Sequence, residues 1–180
     1  MTKAKEPLDA VKVHLRAGSP DDAARLATVF VSAWLSAYPG VVSDDSLRSL
    51  EEEQTAAWLG PLLCAPGSTT IVAEADDGEL LGFCRFGEDP DIAGCGHIFS
   101  LYVAPSASRR GLGRRLLALA LEELEQLVPG GDVTLWVFEE NAPARQLYSG
   151  FGFSPDGGRR VEPEYGAEEL RLCLVPGTGS

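Results

Sequence analysis

The sequence predicts a single α/β domain of seven strands and four helices, on three observations. Apolar residues recur at every second position in some segments and at every third or fourth in others, so strand-like and helix-like stretches alternate along the chain. The 180 residues are 44% apolar and 23% charged, the balance of a globular protein with a full core. No internal repeat and no long Pro/Gly/Ser-rich linker divides the chain, which places one domain over residues 11–176 between flexible tails at 1–10 and 177–180.

The elements follow in order. Val11, Val13 and Leu15 alternate with Lys12, His14 and Arg16, a strand with one wet face on which His14 is ordinary surface. Ser19, Pro20 and Asp22 then supply a cap, a first-turn proline and an early acid. Ala23, Leu26, Phe30, Trp34 and Tyr38 continue at helical spacing until Pro39 and Gly40 end the run. A second, acidic helix is expected from about Asp44 to Leu63. Two strand-like runs flank Asp76, Asp77 and Gly78, a hairpin in which the glycine accepts positive φ. "GHIFSLYVAP" is a further strand stopped by Pro105, and a long amphipathic helix starts at Leu112. "VTLWVF" reads as a strand, Asn141 to about Ser149 as a short helix, and "GFGF" and "ELRLCLV" as the last two strands, joined by a loop from Pro155 to Ala167.

Charge and cysteine content narrow the function. Fifteen Lys and Arg against 27 Asp and Glu give a net charge of -12, the wrong sign for a nucleic-acid partner, which needs a broad basic surface, and compatible with a cationic substrate. Cys64, Cys84, Cys95 and Cys173 lack paired ligand spacing, so no metal, structural zinc or disulfide is expected. Without a signal-peptide core or a run of about 18 to 20 apolar residues, the reading is cytoplasmic with no membrane partner.

Against that acidic background, "SASRRGLGRRLL" is anomalous. Arg109, Arg110, Arg114 and Arg115 fall within seven positions that also hold Gly111 and Gly113, between a strand and a helix. Such a turn points backbone N–H groups and the positive end of the helix dipole at one spot, where a diphosphate fits. The glycines let oxygen atoms approach the amides and the arginines add charge; a solvated basic face over a glycine turn is the plainer alternative. A P-loop is excluded because Arg114 and Arg115 stand where Lys and Ser or Thr are required. A dinucleotide fingerprint from Gly111 is excluded because Leu116 stands where Gly or Ala is required.

"LYVAPSASRRGLGRRLL" followed by "LWVFEENAPARQLYSGFGF" resembles the two central motifs of the GCN5-related N-acetyltransferase (GNAT) superfamily, and the element order is similar to that fold along nearly the whole chain. The resemblance implies a mixed central sheet of about seven strands flanked by about four helices, with acetyl-CoA as cofactor. It further implies that the amides from Arg109 and Arg110 through Gly111, Leu112 and Gly113 to Arg114 meet the diphosphate, while backbone groups of Leu101, Tyr102 and Val103 run beside the pantetheine arm, so that the strand edge after residue 100 stays unpaired. Ser108 stands where the family carries Arg or Gln. Tyr148 matches the tyrosine that protonates the leaving thiolate, and Asn141 the asparagine near the pantetheine arm, a residue type that also caps helices.

Transfer to an amine requires a proton acceptor. Where many relatives carry a glutamate, six residues before Val103, this chain carries His97, suited to that task near neutral pH but equally a structural histidine. Glu139 and Glu140 are further relay candidates. Trp34, Tyr38 and Tyr165 are expected to line the acceptor pocket, with Glu164 or Glu74 supplying charge; aromatics at helical spacing also serve as core. The resemblance thus implies acetyl transfer to the primary amine of a small molecule, with a peptide or protein amino terminus or lysine, or a non-catalytic acyl-CoA sensor, as alternatives. A homodimer is compatible with all three.

Overall fold

The computed structural model describes residues 12–177. The tail at 1–10, Val11 and residues 178–180 lie outside the described residues. Strand β1 (Val13–Ala17) leads through a single 3-10 turn into α1 (Ala23–Ala37), followed by α2 (Asp44–Arg48), α3 (Glu52–Leu63), β2 (Ser68–Ala75), β3 (Leu80–Glu88) and β4 (Gly96–Val103). After another 3-10 turn come α4 (Leu112–Leu127), β5 (Val133–Phe138), α5 (Ala142–Ser149), β6 (Ser154–Val161) and β7 (Glu168–Leu174).

The seven strands form one sheet in the order β1-β2-β3-β4-β5-β7-β6, antiparallel except where β4 and β5 run parallel across the α4 crossover. Central strands carry apolar residues on both faces. Ile71, Ala73, Leu81 and Cys84 point into a core roofed by α4 and α5, whereas Val72, Leu80 and Phe83 point into a second core under α1 and α3. Leu116, Leu117, Ala120 and Leu124 of α4 are fully buried at the predicted helical spacing. Burial on that scale contributes about 1.5–3 kcal/mol for each large side chain. The start of α1 is tied down by charge: Asp22, 1% exposed, accepts two hydrogen bonds from Arg16 at 2.8 and 2.9 Å and one from Arg25, and both arginines also reach Glu74 on β2.

Two elements differ from the sequence reading. The acidic helix expected over 44–63 is two helices. Ser43 caps the first by accepting the Ser46 N–H at 3.1 Å, and Glu51 is extended (φ -116°, ψ 134°), so the chain turns and delivers both Leu47 and Leu59 to the α1 core. The sixth strand is displaced: it begins at Ser154, after "GFGF", and runs through the segment expected to be loop. Pro155, Gly157 and Gly158 are tolerated because β6 is the sheet edge and a register shift between Pro155 and Arg159 absorbs them.

Candidate active site

The site is built from a break in the sheet. β4 and β5 pair only at Gly96↔Val133, His97↔Thr134 and Ile98↔Leu135. Beyond these positions β4 continues to Val103 alongside β3, while β5 continues to Phe138 alongside β7. A bulge assists the divergence, since Arg85 pairs with Ser100 and Phe86 with Ile98, leaving Phe99 without a partner on β3. Between the diverging strands lies a cavity of about 300 Å³, lined by residues 98–102 of β4, 136–138 of β5 and side chains from α1, α5, β6 and β7.

Where β4 ends, the chain passes through the 3-10 turn Pro105–Ala107 to the N-terminus of α4. Gly111 is the N-cap, with φ 78°, and no side chain caps the helix. Arg109 is also left-handed, at φ 61°. Left-handed residues interleaved with right-handed ones curl the backbone into a concavity of N–H groups. Consistent with this, the amides of Arg109, Arg110, Gly111, Leu112, Gly113 and Arg114 have no hydrogen-bond acceptor among the described residues, and the first helical bond back to this turn is Arg115 N–H to the Gly111 carbonyl. All four arginines are exposed, and Arg109 and Arg110 have no side-chain partner among the described residues. Arg115 instead donates to the Val13 carbonyl at 3.0 Å, and Arg114 lies 4.7 Å over the Phe151 ring. Arg109 in a left-handed conformation had no sequence signal, because only glycine advertises that geometry.

Tyr148 of α5 lines the cavity, 7% exposed, and its hydroxyl makes no hydrogen bond among the described residues. Burial pushes its pKa far above the ordinary phenol value, so it stays protonated at neutral pH. Asn141 is the N-cap of the same helix, its Oδ1 accepting the Ala144 N–H at 3.1 Å while its Nδ2 donates to the Tyr38 hydroxyl at 3.2 Å. Tyr38, pushed up to about 12 by burial, and Trp34 line the cavity and are also core residues. Tyr165 stands one layer back, its ring 4.6 Å from that of Trp34, and does not border the cavity.

His97 also lines the cavity, 9% exposed. Its Nδ1 lies 2.6 Å from the Thr134 hydroxyl and 3.3 Å from Asp89, and burial lowers its pKa against the opposing pull of Asp89. Among the lining residues that the sequence reading did not name as site candidates are Trp136, Arg160, Glu162 and Glu169. Arg160 stacks 4.3 Å over Trp136 and donates to Glu169 at 2.6 Å, and burial raises the Glu169 pKa despite that partner. They come together only through the β5–β7–β6 register, which pairs Trp136 with Arg171, Phe138 with Glu169, and Glu169 with Arg160. The residues expected to supply charge are elsewhere. Glu74 is held by Arg16 and Arg25, Glu139 by Arg159, and neither Glu140 nor Glu164 borders the cavity.

Known proteins place this arrangement. The chain is 35% identical over 149 residues to mycothiol acetyltransferase of Tsukamurella paurometabola, covering 81% of this chain and 49% of that protein, so it spans about half the length of that relative. It is 29% identical over 166 residues to the uncharacterized N-acetyltransferase YuaI of Bacillus subtilis, covering 91% and 90% of the two chains. The PaiA N-acetyltransferase of Thermoplasma acidophilum, solved in complex with coenzyme A, shares the fold with a TM-score of 0.70 at 20% identity, over 89% of this chain and 98% of that one. Residues 29–153, more than half of the chain, match the model of the acetyltransferase (GNAT) family, and with both central motifs and the split sheet in place the chain belongs to that family.

Proposed function

We propose that the protein transfers the acetyl group of acetyl-CoA to the primary amine of a small molecule by direct attack. The observation that carries this reading is the run of six amides, Arg109 to Arg114, without an acceptor among the described residues, in the turn that follows the strand bordering the cavity. Amides left without acceptors at a helix N-terminus suit an anion, and the residues present fit the cofactor. The cradle would hold the diphosphate, with Arg109 and Arg110 available to add charge, and the β4 edge at Leu101, Tyr102 and Val103 would take the pantetheine arm. When bound, acetyl-CoA supplies an acetyl group activated as a thioester.

The chain's own residues then have separable tasks. Tyr148, kept protonated by burial, holds a proton at its hydroxyl for the departing sulfur. Asn141 fixes the start of α5 and, through Tyr38, the wall beside it. His97, kept neutral by burial, is the proton acceptor for an incoming ammonium. Strand β4 and the aromatic rings of Trp34, Tyr38 and Trp136 leave little room for water at the parts of the cavity that they line. Proximity of two reactants in one cavity supplies much of the remaining acceleration.

A cavity of about 300 Å³, with Glu162 and Glu169 against the single Arg160 on its lining, suits a small cation better than a peptide segment. The test supplies acetyl-CoA with short diamines, amino acids and alanyl peptides and follows release of free thiol. Release with small amines is expected. Release with peptides alone would replace this reading by peptide acetylation, and coenzyme A binding without amine-dependent release would replace it by an acyl-CoA sensor.

A further inference from the structure

Asp89, between β3 and β4, is a buried carboxylate that the proposed chemistry has not used. Three hydrogen bonds and one charge contact hold it. Its Oδ1 accepts the backbone N–H groups of Asp91 and Ile92 at 2.9 and 3.0 Å. Its Oδ2 lies 2.5 Å from the Thr134 hydroxyl and 3.3 Å from His97 Nδ1. Thr134, 2% exposed, has one proton to donate, and His97 Nδ1 lies 2.6 Å from the same hydroxyl oxygen.

Those distances admit one assignment of protons. An ionised Asp89 can only accept, so the short contact with Thr134 requires the threonine proton to point at Asp89. Thr134 can then meet His97 only as an acceptor, and Nδ1 must carry a hydrogen. The neutral ring therefore has its lone pair on Nε2, which has no partner among the described residues, on a side chain that borders the cavity. The Gly96 carbonyl, 3.4 Å from the Thr134 hydroxyl, is too distant to compete.

We propose that Asp89 and Thr134 are positioning residues that lock His97 in its Nδ1–H tautomer, and so present Nε2 to the cavity as the acceptor of the amine's proton. This rests on the acetyltransferase reading with His97 as base. In the step, an N–H bond of the substrate ammonium breaks, its electron pair stays on the amine nitrogen, and an Nε2–H bond forms. The resulting imidazolium faces Asp89 through its other nitrogen and later returns the proton to solvent. The charged groups around the ring are Asp89 and Asp91 from the β3–β4 connection, Arg160 from β6, Glu162 from the following loop and Glu169 from β7. Burial disfavours the imidazolium while Asp89 favours it, the balance a base near neutrality requires.

The chain has two histidines, so long-range 1H–15N spectra of the labelled full chain contain two imidazoles, told apart by His97→Gln. In the wild type, neutral His97 is expected as the Nδ1–H tautomer. Asp89→Asn keeps Oδ1 for the turn but puts an NH₂ where Oδ2 was; the Thr134 hydroxyl must then donate to Nδ1, and His97 should switch to the Nε2–H tautomer. Loss of the negative charge should also move its titration midpoint to lower pH. Thr134→Ser should retain the wild-type tautomer and Thr134→Val should lose the preference. An Nε2–H tautomer in the wild type, or an unchanged tautomer in Asp89→Asn with the fold intact, overturns the proposal. With any amine that the wild type acetylates, His97→Gln should slow thiol release at least tenfold. An unaltered rate alongside the expected tautomer would remove His97 as base and overturn the catalytic half of the proposal. A wild type that turns over no amine tells instead against the acetyltransferase reading.

Discussion

Replacing Gly111 by alanine isolates the cradle from the rest of the fold. Gly111 sits at φ 78° with no atom of the protein within 4 Å of where a Cβ would stand, so a methyl group there meets no neighbour and adds only left-handed strain. That strain is about 1–2 kcal/mol, which in a domain of this size lowers Tm by about 2–8 °C. Ligand binding should suffer separately, because the added Cβ borders the concavity. Relaxing φ to relieve the strain also re-aims the neighbouring N–H groups. Losing one hydrogen bond to a charged oxygen costs about 1.5–3 kcal/mol, or about ten- to a hundredfold in Kd. Gly78 is the control: it has φ 84°, equal open space, and a place in the β2–β3 hairpin. Calorimetric titration with coenzyme A beside thermal unfolding should show similar Tm losses in Gly111→Ala and Gly78→Ala, and weakened binding only in the former. Wild-type coenzyme A affinity in Gly111→Ala, or equal affinity losses in both, would refute the reasoning.

Other substitutions sharpen the map. Gly113→Ala should bind coenzyme A as the wild type does, since its Cβ would meet Leu147 and Val103 at ordinary distances of 3.5 and 3.7 Å, inside the protein; titration calorimetry checks it. Tyr148→Phe should lower kcat by about a hundredfold or more while leaving coenzyme A affinity intact, read from single-turnover thiol release. Asp22→Asn should cost about 2–3 kcal/mol in urea unfolding, less than a wholly buried pair because Arg16 and Arg25 remain 34% and 45% exposed. The native Asp22 pKa is depressed, chiefly by hydrogen bonds from Arg16, so its stabilisation is complete above the ordinary aspartate pKa of about 3.9 and is lost as pH falls towards the native value. Asp22→Asn should therefore unfold with a weaker dependence on pH below about 4 than the wild type.

The sequence carried those parts of the fold that rest on local periodicity. The β-branched and aromatic run "VTLWVF", the stripe of Leu116, Leu117, Ala120 and Leu124, and the glycine turn before α4 each state their geometry within a few residues. The break between α2 and α3 left no such mark, since "RSLEEEQ" contains neither Gly nor Pro and the turn exists to serve Leu47 and Leu59. Strand β6 was obscured for the opposite reason: its Pro and Gly residues signal loop, and only its position at the sheet edge lets them stay. In the site, Tyr148 and the cradle belong to contiguous motifs and were legible. Asp89 lies 45 residues from Thr134, and Arg160 meets Glu169 across a strand pair whose register shifts upstream, so no local pattern could join them.

The three-rung contact between β4 and β5 has a mechanical meaning. Four strands lie on one side of that seam and three on the other, and near the cavity the backbones no longer hold hands. A ligand threaded into the opening would act as a rivet, fastening two half-sheets that the polypeptide alone joins weakly. Such a ligand would stiffen the molecule while bound and let it slacken on departure.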